Sequence, residues 1–152
     1  MDWTAKDIQL YEQSKEYIDT AVIPLIPLSL GADIGSVVQK GEFISVLSRE
    51  LEREYRGRIL LLPPFTYISG QKETEIKRLQ QWTDMAVHNG LLHVVYLTSD
   101  YEWKDIPELP GTTFWLPALP IGQLDQKAKR DVLQSQIREI MTILTEKWEN
   151  VE

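Results

Sequence analysis

Residues 59–62 read Ile-Leu-Leu-Leu, four apolar side chains in succession, and Pro63 and Pro64 follow at once. A strand without polar alternation has no face to turn toward water, so this run predicts a strand buried on both faces. Successive prolines withhold their N–H donors, and the reading ends the strand there. Similar runs occur at residues 21–26, 91–97 and 113–116, with helical patterns between or after them. That alternation predicts an α/β fold: a mostly parallel sheet of about four strands, with helices on both faces as right-handed crossovers require. The expected strand order is 2-1-3-4 and the architecture Rossmann-like, in three layers.

A chain of 152 residues, 43% hydrophobic and 26% charged, is long enough to bury a core without staples, and one domain spanning residues 1–152 is expected. The formal charge of −7 argues against an electrostatic nucleic-acid binder and against adsorption to anionic lipid. Lys127, Lys129 and Arg130 are interleaved with Asp125 and Asp131, the pattern of a solvated helix face. No cysteine is present, which removes disulfides, thiolate metal sites and cysteine nucleophiles together. The first residues lack the basic-then-apolar pattern of a signal peptide, and the most apolar run, residues 21–30, is too short and proline-broken to span a bilayer. A cytoplasmic setting is expected, with no cofactor and no metal site.

Thr4 and Asp7 have capping-box spacing, which starts a first helix over residues 5–16. The first strand covers residues 20–23, and Pro24 and Pro27 hold the chain extended as it leaves the sheet. Gly31 and Gly35 suit a turn; Gly41 weakens helix, so the second helix is expected near Glu42, with Ile44, Leu47, Leu51 and Tyr55 as one stripe and Gly57 as its end. A third helix over residues 72–88 stops at Asn89-Gly90, its face toward the sheet formed by Ile76, Leu79, Thr83, Ala86 and Val87. Residues 105–111, with two prolines and a glycine, make a connection rather than a helix. A final helix over residues 125–148 carries Leu133, Ile137, Ile140, Met141, Leu144 and Trp148 on one face and is expected to close the domain.

In parallel sheets ligands bind beyond the carboxyl ends of the strands. That places function in the loops over residues 29–36, 63–70, 98–103 and 117–123. The glycines of the first loop can offer amides to a phosphate, but no lysine follows as in a P-loop, and turn geometry is the simpler reading. Thr66, Tyr67 and Ser69 bring hydroxyls to the second loop, yet His88 and His93, the two histidines, sit in settings that do not assemble a triad or a histidine-rich metal site. Asp100 and Glu102 follow a strand end, where carboxylates act as bases or ligands; with Asp33 they are the catalytic candidates, against the alternative that Asp100 caps a turn. Phe65, Tyr67, Tyr101, Trp103 and Trp115 are the interface candidates, either packing together as a plug or forming an apolar rim for a partner.

Residues 17–28, residues 61–67 and the tryptophan-bearing tail resemble the uncharacterised YpiF-like family of Bacillus-type bacteria, which has no assigned activity; the resemblance implies a cytosolic bacterial setting. Val22-Ile-Pro24, the Leu-Gly-Ala-Asp33 turn and Leu62-Pro-Pro-Phe-Thr-Tyr67 are also similar, in order, to segments of the creatininase-type amidohydrolases. That resemblance makes Asp33 the remnant of a metal-binding aspartate. The Glu-x-His segment of that family is missing, and residues 98–100 stand where it has a histidine and glycines, so the implied scaffold has lost its chemistry. The combined expectation is a non-catalytic interaction or regulatory domain that meets a protein partner or a second copy through its strand-end loops. The alternative is a hydrolase or small-ligand binder using Asp33, Asp100 and Glu102.

Overall fold

The structure, a computed structural model, describes residues 1–150. Residues Met1–Leu119 and Pro120–Glu152 form two compact units. The first holds α1 (Ala5–Gln13), β1 (Thr20–Leu28), α2 (Ile34–Glu54), β2 (Ile59–Leu61), β3 (Phe65–Ile68), α3 (Lys72–His88), β4 (His93–Thr98) and β5 (Thr112–Trp115). The second holds a 3₁₀ turn, Ile121–Gln123, and α4 (Gln126–Glu149), whose first turn Asp125 caps by accepting the Ala128 N–H at 2.8 Å. Leu133, Ile137, Ile140, Met141 and Leu144 are buried along one face of α4, the expected stripe, while Trp148 is half-buried.

Every strand pairing in the sheet is parallel, and the order is β2-β1-β4-β5 with β3 also beside β1. β2 pairs with residues 20–22 of β1 and β3 with residues 25–28, so the two occupy one strand position, broken at Leu62, Pro63 and Pro64. The 2-1-3-4 order is therefore present, but the chain beyond the prolines re-enters the sheet as β3 instead of remaining a loop.

β1 also runs further than expected, through both Pro24 and Pro27. Leu62 N–H donates to the Val22 carbonyl and Ser69 N–H to the Leu28 carbonyl, whereas His93 N–H donates to the Asp19 carbonyl. Even-numbered residues of β1 thus present their backbone to β2 and β3, odd-numbered ones to β4. Pro24 faces the gap between β2 and β3, and Pro27 lies past Pro24, the last β1 residue registered with β4. Each missing N–H falls where the ladder has no acceptor waiting, so neither proline breaks the strand.

α2 starts at Ile34 and passes through Gly35 and Gly41. Gly41 is there for proximity: a Cβ would lie 3.1 Å from Ile26 Cγ2, so its absence lets the helix lie close on β1. Phe43, Ile44, Leu47 and Leu51 are fully buried on this side. Ala21, Ile23 and Leu25, of opposite parity, join Leu60, Val94, Tyr96 and the α3 residues Leu79 and Ala86 in the core of the other face. α2, sheet and α3 are three layers, as the alternation of elements implied. Val87 of α3 is exposed rather than facing the sheet. Asn89 and Gly90 stop α3, Gly90 taking a φ of 94°; Gly31, Gly35 and Gly57 stay out of the left-handed region.

α1 is shorter than predicted. Thr4 Oγ1 accepts the Asp7 N–H, one half of a capping box; the Asp7 carboxylate takes the Asp2 N–H at 2.8 Å and Arg56 at 2.6 Å instead of the cap amide.

Candidate functional site

From β1 the chain crosses to β2 and β3 on one side, and from β3 it crosses back by way of α3 to β4 on the other side of β1, so the switch point lies at the carboxyl ends of β1 and β4. On the α3 side that point is filled. Alternation along β3 turns Phe65 and Tyr67 inward and Thr66 and Ile68 outward. The 3₁₀ turn Tyr101–Trp103 brings Trp103, 1% exposed, against them: its ring lies edge-on to Tyr67 at 5.1 Å and to Phe65 at 6.3 Å. Trp82 of α3 closes on Phe65 at 5.1 Å, and the Arg78 guanidinium lies 4.3 Å from the Phe65 ring centre.

Asp100 belongs to the same plug. The Tyr67 hydroxyl donates to Asp100 Oδ2 at 2.6 Å, and the Glu102 N–H donates to Asp100 Oδ1 at 3.1 Å. The Asp100 N–H in turn donates to Thr98 Oγ1 at 2.9 Å. Both carboxylate oxygens are engaged in capping the turn and in tying it to β3, across β1. Burial, with the Asp100 hydrogen bond and negative charge added, pushes the Tyr67 phenol far above the usual tyrosine range and keeps it a neutral donor. A carboxylate held this way is a structural acceptor rather than a free base.

The other candidates do not join it. Glu102 is exposed. Asp33 is exposed at the start of α2, where Ser29 Oγ donates to its Oδ1 at 2.7 Å. Among the described residues no group of three or more His, Asp or Glu is arranged to hold a metal ion. Ser99 Oγ and Trp115 Nε1, at the ends of β4 and β5, are buried without a hydrogen-bond partner.

The five aromatic residues expected at an interface separate by exposure. Phe65, Tyr67 and Trp103 form the plug, because their strand and turn point them into the core, and a partner cannot reach them without unfolding this corner. Tyr101 is 66% exposed and stands edge-on to half-buried Trp115 at 5.5 Å, with the Lys104 ammonium 5.3–5.4 Å from both rings.

A second surface lies outside the expected aromatic residues, although Leu30, Ile34 and Ile68 belong to the loops over residues 29–36 and 63–70. Leu28, Leu30, Ile34, Val38 and Ile68 are between 44% and 83% exposed. Leu28 and Ile68 are register partners at the ends of β1 and β3, and share the α2 side of the sheet; Leu30 follows β1, and Ile34 and Val38 are one turn apart on α2. One signal was legible: Ile34 and Val38 lie off the Val37, Gly41, Ile44, Ser48, Leu51 line that α2 buries.

A parallel three-layer α/β unit with its strand-end carboxylate locked in a plug defines a scaffold class rather than a reaction. The chain matches the family described as protein of unknown function (DUF2487) over residues 9–148, and it belongs to that family. It is similar to the uncharacterized protein YpiF of Bacillus subtilis strain 168, with 37% identity over 148 residues, 97% of this chain and 98% of that one. No solved structure matches the chain. No helix among the described residues is long and apolar enough to cross a membrane.

Proposed function

We propose that the chain is a non-catalytic cytoplasmic domain that acts by binding a protein, using the aliphatic corner formed by Leu28, Leu30, Ile34, Val38 and Ile68. The observation that carries this reading is the exposure of five large aliphatic side chains at one end of the β1–β3 pair and the adjoining start of α2. The engagement of both Asp100 oxygens supports the non-catalytic half of it. Creatininase-like ancestry fits the same reading as a degenerate scaffold, since Asp33 bonds to Ser29 and stands apart from any cluster of metal-binding groups.

The experiment is affinity capture from Bacillus lysate with three baits: the natural chain, the double variant Leu30→Asp, Val38→Asp, and a control altered at exposed Glu139→Lys on α4. The double variant keeps its melting temperature, because both positions are solvent-facing, and loses a protein that the other two retain. Identical captured sets from all three baits contradict the reading.

A small-ligand site at the strand ends is the second reading. It is favoured by the unpartnered Ser99 Oγ and Trp115 Nε1, two buried donors that an acceptor-bearing ligand would satisfy.

A further inference from the structure

Asn89 is followed by Gly90, and both are exposed where α3 ends. An asparagine before glycine is prone to lose its side-chain amide, because glycine has no Cβ to hinder its own nitrogen from closing on the side chain. In that reaction the Gly90 nitrogen, its proton given up to solvent, attacks Asn89 Cγ. A C–N bond forms, the Cγ–Nδ2 bond breaks and the amide leaves as ammonia. Water then opens the cyclic imide at either carbonyl, and the product is an aspartyl or an isoaspartyl residue. The other asparagine, Asn150, precedes the β-branched Val151, which hinders the same closure.

The end of α3 withholds the groups that this reaction needs. The Gly90 N–H donates to the Val87 carbonyl at 3.1 Å and the Leu91 N–H to the Ala86 carbonyl at 3.0 Å, the paired bonds of a Schellman cap, with Gly90 at a φ of 94°. Asn89 Nδ2 donates to the Met85 carbonyl at 2.7 Å, which holds the side chain back along the helix. Closure of the imide ring also needs the peptide after Asn89 rotated well away from its ψ of 17°. Attack therefore waits on the last turn to open, a local event at a solvent-exposed helix end rather than global unfolding.

We infer that Asn89 is a modification site gated by the α3 cap: the closed last turn protects it, and chains whose last turn opens convert it to aspartyl and isoaspartyl forms. The change is one-way. Neither product donates to the Met85 carbonyl, and each puts a carboxylate at a helix C-terminus, where the macrodipole disfavours it. The isoaspartyl form also carries the main chain through the side-chain carbon just ahead of Leu91, which is buried at the approach to β4. The site lies at the amino-terminal end of β4, opposite the strand ends that carry the aliphatic corner, and does not depend on the partner reading above.

The test incubates the full chain at mildly alkaline pH, folded in buffer and unfolded in guanidinium chloride. Peptide mapping by mass spectrometry follows Asn89, with Asn150 as the internal reference. In the unfolded chain Asn89 converts well ahead of Asn150; in the folded chain it converts at least about tenfold more slowly than that. Two exposed positions of the last turn move the folded rate in opposite directions and leave the unfolded rate unchanged. Met85→Gly loosens the turn and speeds conversion about threefold, and Val87→Ala firms it and slows conversion about twofold. Converted chains, separated from the mixture, melt at a lower temperature. Equal rates in the folded and unfolded chains overturn the inference, as does an unfolded chain in which Asn89 is no faster than Asn150. A folded rate that neither variant changes places the protection outside the cap and overturns it as well.

Discussion

Gly111 has no room for a side chain. A Cβ there would lie 2.6 Å from the Val94 carbonyl oxygen and 2.7 Å from the Tyr96 ring, whose hydroxyl bonds Thr83 Oγ1 at 2.6 Å and accepts the Gly111 N–H. Val94 belongs to β4, which is paired on both sides, so its backbone cannot step aside. Gly111→Ala is expected to cost about 1–3 kcal/mol in urea denaturation. Gly57→Ala, with nothing within 4 Å and an ordinary φ, is expected to change stability by less than about 1 kcal/mol and in the stabilising direction. In the sequence both glycines read simply as punctuation. What separates them is Tyr96, brought from another strand, and no local pattern carries that. Asp100 shows the same limit. Its place after a strand end was legible, and so was its alternative role as a turn cap. Its partner Tyr67, 33 positions away, was not, because the two prolines hid the strand that aims it.

At the scale of elements, the long helices and every strand but β3 followed from apolar runs and periodicity; α3 has the ends expected of it, whereas β1 and α2 run further than expected. β1 passes its prolines because the ladder there needs no N–H, and α2 passes through Gly41 because Ile26 leaves little room for a Cβ. α1 depends on charge more than on packing. The Asp7 carboxyl is held below the usual aspartate range first by the Asp2 N–H and then, against the cost of burial, by Arg56. Asp19 is also held low: burial pushes it up, but its hydrogen bonds from Arg58 and Thr20 outweigh that. A depressed folded-state pKa contributes stability above the unfolded value, about 3.8–3.9, that is lost as pH falls through the folded one. Stability is therefore expected to drop as pH is taken below about 4. In Asp7→Asn the drop is shallower, from a lower plateau at neutral pH. Urea midpoints at pH 7, 4 and 3 for the two chains test this, and equal pH slopes would contradict it.

Across the whole first unit, chain order leads the eye to the carboxyl ends of the strands, where parallel sheets place their chemistry. The topology that locates this point was readable from the order of strands and helices. Its closure was legible as one of two alternatives, plug or rim; the choice depends on Trp103, Tyr67 and Phe65 converging from a turn and a strand. The aliphatic corner escaped for the converse reason: Leu28, Leu30 and Ile68 sit among apolar runs, and only the register and the course of α2 show which members of those runs stay outside.

The unit seals its strand ends with Phe65, Tyr67 and Trp103 and exposes the aliphatic corner beside them. Hydroxyl-radical footprinting of the folded chain, read residue by residue by mass spectrometry, tests it most directly. Tyr101 and Leu30 are expected to be modified rapidly, with Tyr67 and Trp103 protected until the chain unfolds. Modification of Tyr67 and Trp103 at the rate of Tyr101 would mean an open crevice and would contradict it.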